Sequence, residues 1–151
     1  MKILVFSDSH GHHSDMLRVT ESESPDMVIF CGDGVRDFEK VTASFPNVEY
    51  RAVRGNCDYA PAVPESLLIE ALDKRIFVTH GHLYHVKFDY QRAIYAAEER
   101  LANLLCFGHT HEPFRDTVRG LSILNPGSIA ENRYGIAEIS DGRITTRFAR
   151  T

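Results

Sequence analysis

Five short apolar runs in this chain each stop at residues able to bind a metal, and that repetition constrains the fold more than any other feature. Residues 3–6 run into Ser7-Asp8-Ser9-His10, and residues 27–31 into Gly32-Asp33. Residues 48–53 lead to Arg54-Gly55-Asn56-Cys57-Asp58, 76–78 to Thr79-His80-Gly81-His82, and 104–107 to Gly108-His109-Thr110-His111. Short runs of this composition, bounded by glycine and polar residues, read as buried strands. In an open α/β sheet, ligands bind beyond the carboxyl ends of the strands. If the five strands share a sheet edge, the five polar clusters converge there. The adjoining glycines suit sharp turns and close backbone approach.

Residues 16–22 and 35–45 lie between the first three runs and read as helices; the periodicity of the first is poor, and Pro25 ends it. Strand–helix–strand–helix–strand predicts a parallel α/β core. The second half changes style. Residues 67–71 and 75–79 read as a hairpin joined around Asp73-Lys74. Asp89 caps a helix predicted to reach Asn103, because Tyr90, Ile94, Ala97 and Leu101 recur at helical spacing. Further hairpins are expected for 114–118 with 121–124, over Arg119-Gly120, and for 135–139 with 143–148, over Asp141-Gly142. Many strands with few helices predict two sheets packed face to face with helices outside.

The 151 residues suit one domain spanning 1–151. A core of that size buries roughly 68–70% of the surface the unfolded chain exposes. Hydrophobic residues at 43% and charged residues at 25% are those of a globular protein and exclude disorder. Seventeen basic against 21 acidic side chains, a net charge of -4, leave no basic stripe and no strong nucleic-acid-binding signal. The run at 3–6 is too short for a signal peptide or membrane span, so no membrane partner and a cytoplasmic location are expected. Cys31, Cys57 and Cys106 are odd in number, without a Cys-x-x-Cys pair, which argues against a disulfide framework or a structural zinc knot.

Each cluster alone has a bland explanation. Asp8-x-His10 is a turn-former beside a solvated imidazole, Gly32-Asp33 a helix cap, Gly55-Asn56 a loop pair, and the histidines satisfied core-edge residues. The bland reading must explain five such clusters, all at strand ends and all of metal-binding type, so a metal site is the better account. Carboxylates, imidazoles and an amide, without thiolates, suit Mn, Fe, Ni, Co or Zn rather than copper(I) or an iron–sulfur cluster. Asp8, His10, Asp33, Asn56, His80, His109 and His111 are too many for one tetrahedral ion and suit two ions sharing a ligand. Paired metals about 3.5–4 Å apart serve in-line displacement at phosphorus.

With these residues in order, the sequence resembles the calcineurin-like metallophosphoesterases, in particular their small single-domain bacterial and archaeal phosphodiesterase branch. The match runs from Asp8 to the Asn125-Pro126-Gly127-Ser128 loop. The resemblance implies an α/β fold, a four-layer α/β/β/α sandwich of two mixed sheets with flanking helices. It implies two divalent metal ions, Mn2+ foremost, with Fe, Ni, Co or Zn as alternatives. Asp8, His10 and His111 match the first metal site, Asn56, His80 and His109 the second, and Asp33 the bridging carboxylate. The implied reaction is hydrolysis of a small phosphodiester by a metal-bridging hydroxide attacking in line, without a covalent intermediate. The rivals are a phosphomonoesterase or protein phosphatase on the same fold, and a non-catalytic metal-binding scaffold.

One departure bears on substrate. Where many members carry a histidine thought to assist the leaving group, this chain has Cys57, a weak hydrogen-bond donor. Asp58, which would orient that histidine, is left open to a loop-holding role. His82 stands between substrate or ligand support and a structural role. His12, His13 and His85 read as rim residues, Cys31 and Cys106 as core, and Ser128 as a loop former near the site. Arg54 is divided between phosphate binding and an ordinary ion pair. The oligomeric state is left open.

Overall fold

The computed structural model describes all 151 residues. In chain order the elements are β1 (Lys2–Phe6), α1 (His13–Glu23), β2 (Met27–Phe30), α2 (Val35–Ser44), β3 (Glu49–Ala52), β4 (Ser66–Ala71), β5 (Lys74–Thr79), α3 (Gln91–Glu99), β6 (Leu104–Cys106), β7 (Phe114–Val118), β8 (Leu121–Asn125), β9 (Arg133–Ser140) and β10 (Arg143–Arg150). They form two five-stranded sheets, ordered β10-β9-β1-β2-β3 and β4-β5-β6-β8-β7. β1, β2 and β3 pair in parallel, as the strand–helix alternation predicts. β5, β6 and β8 form the parallel centre of the second sheet, with antiparallel β4 and β7 outside.

Period-two alternation builds the layers. In β1, Ile3 and Val5 face the second sheet, where they meet Ile76, Val78, Leu104 and Cys106. Leu4 and Phe6 face the other way, onto Met16 and Val19 of α1. A strand covered on both faces needs apolar residues at every position, which is why its sequence is an unbroken run. α2 adds Val35, Phe38 and Val41 to the same outer core, with the Phe38 ring stacked on Phe30 at 5.0 Å. On the far side, Ala93, Ile94 and Ala97 of α3 cover Phe77, Leu105 and Phe107. The result is the α/β/β/α sandwich of two mixed sheets.

Several expectations are corrected. The five metal-capable runs do not share one sheet edge: β1, β2 and β3 belong to one sheet, β5 and β6 to the other. The clusters meet because the sheets stack with these carboxyl ends at the same end of the sandwich. α1 begins at His13, three residues before the predicted start. α3 stops at Glu99, short of Asn103: Leu101 turns left-handed (φ 53°) and is 72% exposed, so it is not part of the apolar stripe. Ala71 pairs with Lys74, which moves that hairpin turn to Leu72-Asp73. β9 and β10 extend to Arg133 and Arg150, beyond the predicted hairpin.

Candidate metal centre

The chain leaves its strands through unusual backbone conformations. Asp8, His10, Asp33, His109 and His111 all have positive φ, between 41° and 68°. Aspartate and histidine tolerate this region better than most residues, but not freely. Backbone hydrogen bonds hold the turns together: Asp8 N–H donates to Gly32 O and Ser9 N–H to Asp33 O, both at 2.9 Å, and Gly108 N–H donates to His80 O at 3.0 Å. Glycine permits the close approach. A Cβ on Gly55 would overlap the Asp33 carboxylate, and one on Gly108 would overlap the Ser7 hydroxyl.

Two triads of ligand-type atoms result, Asp8–His10–His111 and Asp33–His80–His109, each with all three atoms within 4.8 Å of one another. Asp8 is fully buried. Its Oδ2 accepts from the Ser7 hydroxyl and from His109 N–H. Its Oδ1 lies 3.1 Å from His111 Nε2 and has no hydrogen-bond partner. An ionised oxygen buried without a donor is costly, and a cation at this position resolves it.

The second triad has the same character. His80 Nδ1 lies 2.7 Å from the Cys31 carbonyl, which only accepts, so that nitrogen carries the proton. In the neutral ring the lone pair is then on Nε2, 3.3 Å from Asp33 Oδ2 and 3.1 Å from His109 Nδ1. Lone pairs and a carboxylate facing one another need a cation between them, either a proton or a metal. A carbonyl holding the far nitrogen of an imidazole is also how ligating histidines are oriented.

The electrostatics follow from these contacts. Burial opposes ionisation of Asp33, but the hydrogen bond and charge of His80 and the Cys57 N–H hold its carboxyl well below the usual range. Burial disfavours charge on His80, yet Asp33 and Asp8 outweigh it and raise its pKa. Burial, with the neighbouring charge of His80, pushes His109 down to about 4, so it is neutral with a lone pair available near pH 7.

The loop after β3 is fastened by Asp58. Its Oδ2 accepts from the backbone N–H groups of Asp33 and Gly55, both at 2.8 Å. Its Oδ1 accepts from Gly34 at 2.8 Å and Val35 at 2.9 Å. Asp58 thus caps α2 from outside the helix and ties the loops after β2 and β3 together, the contacts of a loop-holding residue. Cys57 N–H donates to Asp33 Oδ1 at 2.8 Å. The exposed Cys57 thiol is pushed up in pKa, first by its hydrogen bond with Asp33, then by burial and surrounding carboxylates, so it stays protonated. Asn56 is exposed, with its amide nitrogen 3.4 Å from Cys57 Sγ.

His82 sits with its ring 5.4 Å from that of His80; burial and the His80 charge lower its pKa, and its buried Nδ1 has no partner. Arg54 forms an ion pair with Glu65 at 3.0 Å, the ordinary alternative. Cys31 and Cys106 are fully buried between the sheets.

Sequence reading placed Ser128 near the site but missed the other supports. Asp37 Oδ2 accepts from the Ser9 hydroxyl and Gly11 N–H, fixing the backbone on both sides of His10. The Asn125 amide donates to Gly108 O and Thr110 Oγ1, bracing the turn that carries His109 and His111. Ser128 Oγ donates to Asp8 O at 2.7 Å, and Glu131 Oε1 lies 3.8 Å from His111 Nδ1. Asp37 reads in sequence as a first-turn helix acid, and nothing local distinguishes it from one.

Comparison with known proteins gives a consistent picture. The family model for the calcineurin-like phosphoesterase superfamily domain matches residues 1–142. A Bacillus subtilis protein described as a probable metallophosphoesterase, YsnB, is 35% identical, covering 98% of this chain and 90% of its own length. A Methanocaldococcus jannaschii phosphodiesterase is 28% identical, covering 92% and 90%. The crystal structure of a conserved Streptococcus pneumoniae protein, described as a predicted phosphoesterase, superposes with a TM-score of 0.85 at 31% identity, covering 99% of this chain and 88% of that one. No helix is long and apolar enough to cross a membrane.

Proposed function

The chain belongs to the calcineurin-like phosphoesterase superfamily and is a metal-dependent phosphoric ester hydrolase, and on that premise we propose that it cleaves phosphodiesters at a two-metal centre. Asp8, His10 and His111 would hold one divalent ion, His80, His109 and Asn56 the other, and Asp33 both. The carrying observation is the pair of convergent triads, with the buried Asp8 Oδ1 left without a donor. Mn2+ is the first candidate on the family resemblance, with Fe, Ni, Co and Zn behind it; the carboxylate, imidazole and amide donors suit all of them. Such ions, when bound, acidify water toward neutral pH and offset charge on phosphoryl oxygens.

The chain's own residues prepare the site. Cys31 O fixes the His80 proton on Nδ1, so that Nε2 faces the centre. His109 offers an unprotonated nitrogen near neutral pH. Asp58 and Asp37 hydrogen-bond the loops around Asp33 and His10 and so fix the backbone that presents those side chains. Cys57 supports the diester over the monoester. Its protonated thiol is a poor acid for a leaving alkoxide, and a diester is less dependent on such help. The name of the 28% identical phosphodiesterase agrees with this reading.

The test is chelation followed by add-back of single metals, with turnover of bis-p-nitrophenyl phosphate and p-nitrophenyl phosphate compared. The expected result is metal-restored activity favouring the diester, with two ions per chain by elemental analysis. Preference for the monoester overturns the diesterase assignment, saturation at one ion overturns the two-metal centre, and absence of turnover with every metal leaves a scaffold.

A further inference from the structure

Two grooves adjoin loops that carry ligand-type residues of the centre. The first, about 310 Å³, reaches it at His10 and Asp33 and is walled by Cys57 and Tyr59. The second, about 500 Å³, includes Thr110, which stands between His109 and His111, and is walled by Phe88. Each presents an aromatic ring to solvent: Tyr59 is 89% exposed and Phe88 is 88% exposed. The backbone beneath both rings is fixed. Tyr59 follows Asp58, whose carboxylate accepts four backbone hydrogen bonds. Phe88 stands between the buried Val86 and the half-buried Tyr90, whose ring packs on Phe107 at 5.0 Å and Phe114 at 4.6 Å. An apolar ring held outward on a fixed backbone beside a reactive centre is a stacking platform, because every nucleobase offers a π-face to it.

Charge narrows the occupant. With Asp33 assigned to the ions, Arg36 of the first groove is outnumbered by Asp37 and Asp58, and Lys87 of the second by Asp89 and Glu112. Neither groove is cationic on balance, so neither suits an arm carrying further phosphates. Neutral arms with planar rings fit both.

Resting on the phosphodiesterase reading above, we infer that the two grooves receive the two arms of a linear diester, that Tyr59 and Phe88 stack on its bases, and that the preferred substrate is two nucleosides joined by one phosphate. A cyclic nucleotide fills one groove only, and an alkyl diester fills neither with a ring. Tyr59 and Phe88 are therefore specificity-determining residues.

The experiment compares thymidine 5′-(p-nitrophenyl phosphate) with methyl p-nitrophenyl phosphate, which share a leaving group and differ in the nucleoside arm, and adds thymidylyl-thymidine. In the Mn2+-loaded protein the nucleoside arm should lower KM roughly 5- to 150-fold, the span expected for stacking one base. Tyr59→Ala and Phe88→Ala should each raise KM for thymidylyl-thymidine by at least about fivefold with kcat little changed, while Tyr59→Phe keeps the wild-type value. In metal-free protein, the ring signals of Tyr59 and Phe88 should shift in NMR spectra on adding the uncharged methylphosphonate analogue of thymidylyl-thymidine.

Equal KM for the two nitrophenyl esters, or alanine variants that lose kcat alone, overturns the inference while leaving the phosphodiesterase reading standing. So do ring signals that the analogue does not move. Failure to hydrolyse bis-p-nitrophenyl phosphate with any metal overturns both.

Discussion

Asp58 shows how one side chain can hold a site it does not enter. Its four acceptor contacts satisfy N–H groups from two loops and the first turn of α2, groups that otherwise depend on water. Asp58→Ala should cost about 2–4 kcal/mol, combining a lost cap with lost charge-assisted hydrogen bonds at partly wet positions. It should also lower metal affinity, because the Asp33 backbone loses its tether. Urea denaturation and metal titration check this, and an unchanged midpoint would remove Asp58 from the framework. Position 57 is a second residue-scale matter. Cys57→His should raise kcat/KM for p-nitrophenyl phosphate relative to bis-p-nitrophenyl phosphate, within the 10²–10⁴-fold that general-acid help typically contributes. A ratio that stays put at matched metal occupancy means position 57 does not serve the leaving group.

At the scale of elements, α2 links packing to the site. Its Phe38 stacks on Phe30 in the outer core, while Asp37, one residue earlier, holds Ser9 and Gly11. Phe38→Ala should destabilise by about 3–5 kcal/mol, the usual cost of emptying a buried aromatic site. Because α2 then sits more loosely over the sheet, metal affinity should fall as well. Chemical denaturation gives the first quantity and calorimetric metal titration the second. Loss of stability with unchanged affinity would show that α2 does not transmit packing to the His10 loop. The sequence identified this element by its place between two strand-like runs. It did not indicate that the polar residue beside Phe38 serves a different strand's loop, because that contact joins positions 26 to 28 residues apart.

For the whole molecule, metal and proton compete for the same cavity. In metal-free protein the Asp33–His80 pair is stabilising when both are charged. The depressed Asp33 contributes above its unfolded pKa of about 4 and loses that contribution as pH falls through its folded value. The raised His80 contributes below its unfolded pKa of about 6.5 and loses it as pH rises through its folded value. Metal-free stability from this pair should therefore peak between about pH 4 and 6.5 and decline above. A metal held by His80, as proposed, needs that imidazole unprotonated, so affinity should rise as pH goes from 6 to 8, with proton release on binding. At about 100 times Kd, a metal adds roughly 2.7 kcal/mol, equivalent to about 5–11 °C in Tm for a domain of this size. Thermal melts across pH with chelator or Mn2+ test this; parallel pH profiles for the two forms would contradict it.

The sequence by itself determined the strands, the parallel β1–β2–β3 core and the ligand-type residues at their ends. Those features depend on local matters: apolar runs, glycine turns and side-chain chemistry within a few positions. Only the tertiary structure decided that the clusters come from two sheets, since stacking Ile3 and Val5 on Ile76 and Val78 is a contact between distant segments. The same stacking brings His109 N–H to Asp8 Oδ2, 101 positions away, and leaves Asp8 Oδ1 without a donor. It also makes Asp58 a cap for α2, 23 residues from Val35. A residue's chemistry can be read where it stands in the chain, but the partners that complete its coordination or satisfy its lone pairs are fixed only when the two sheets close on one another.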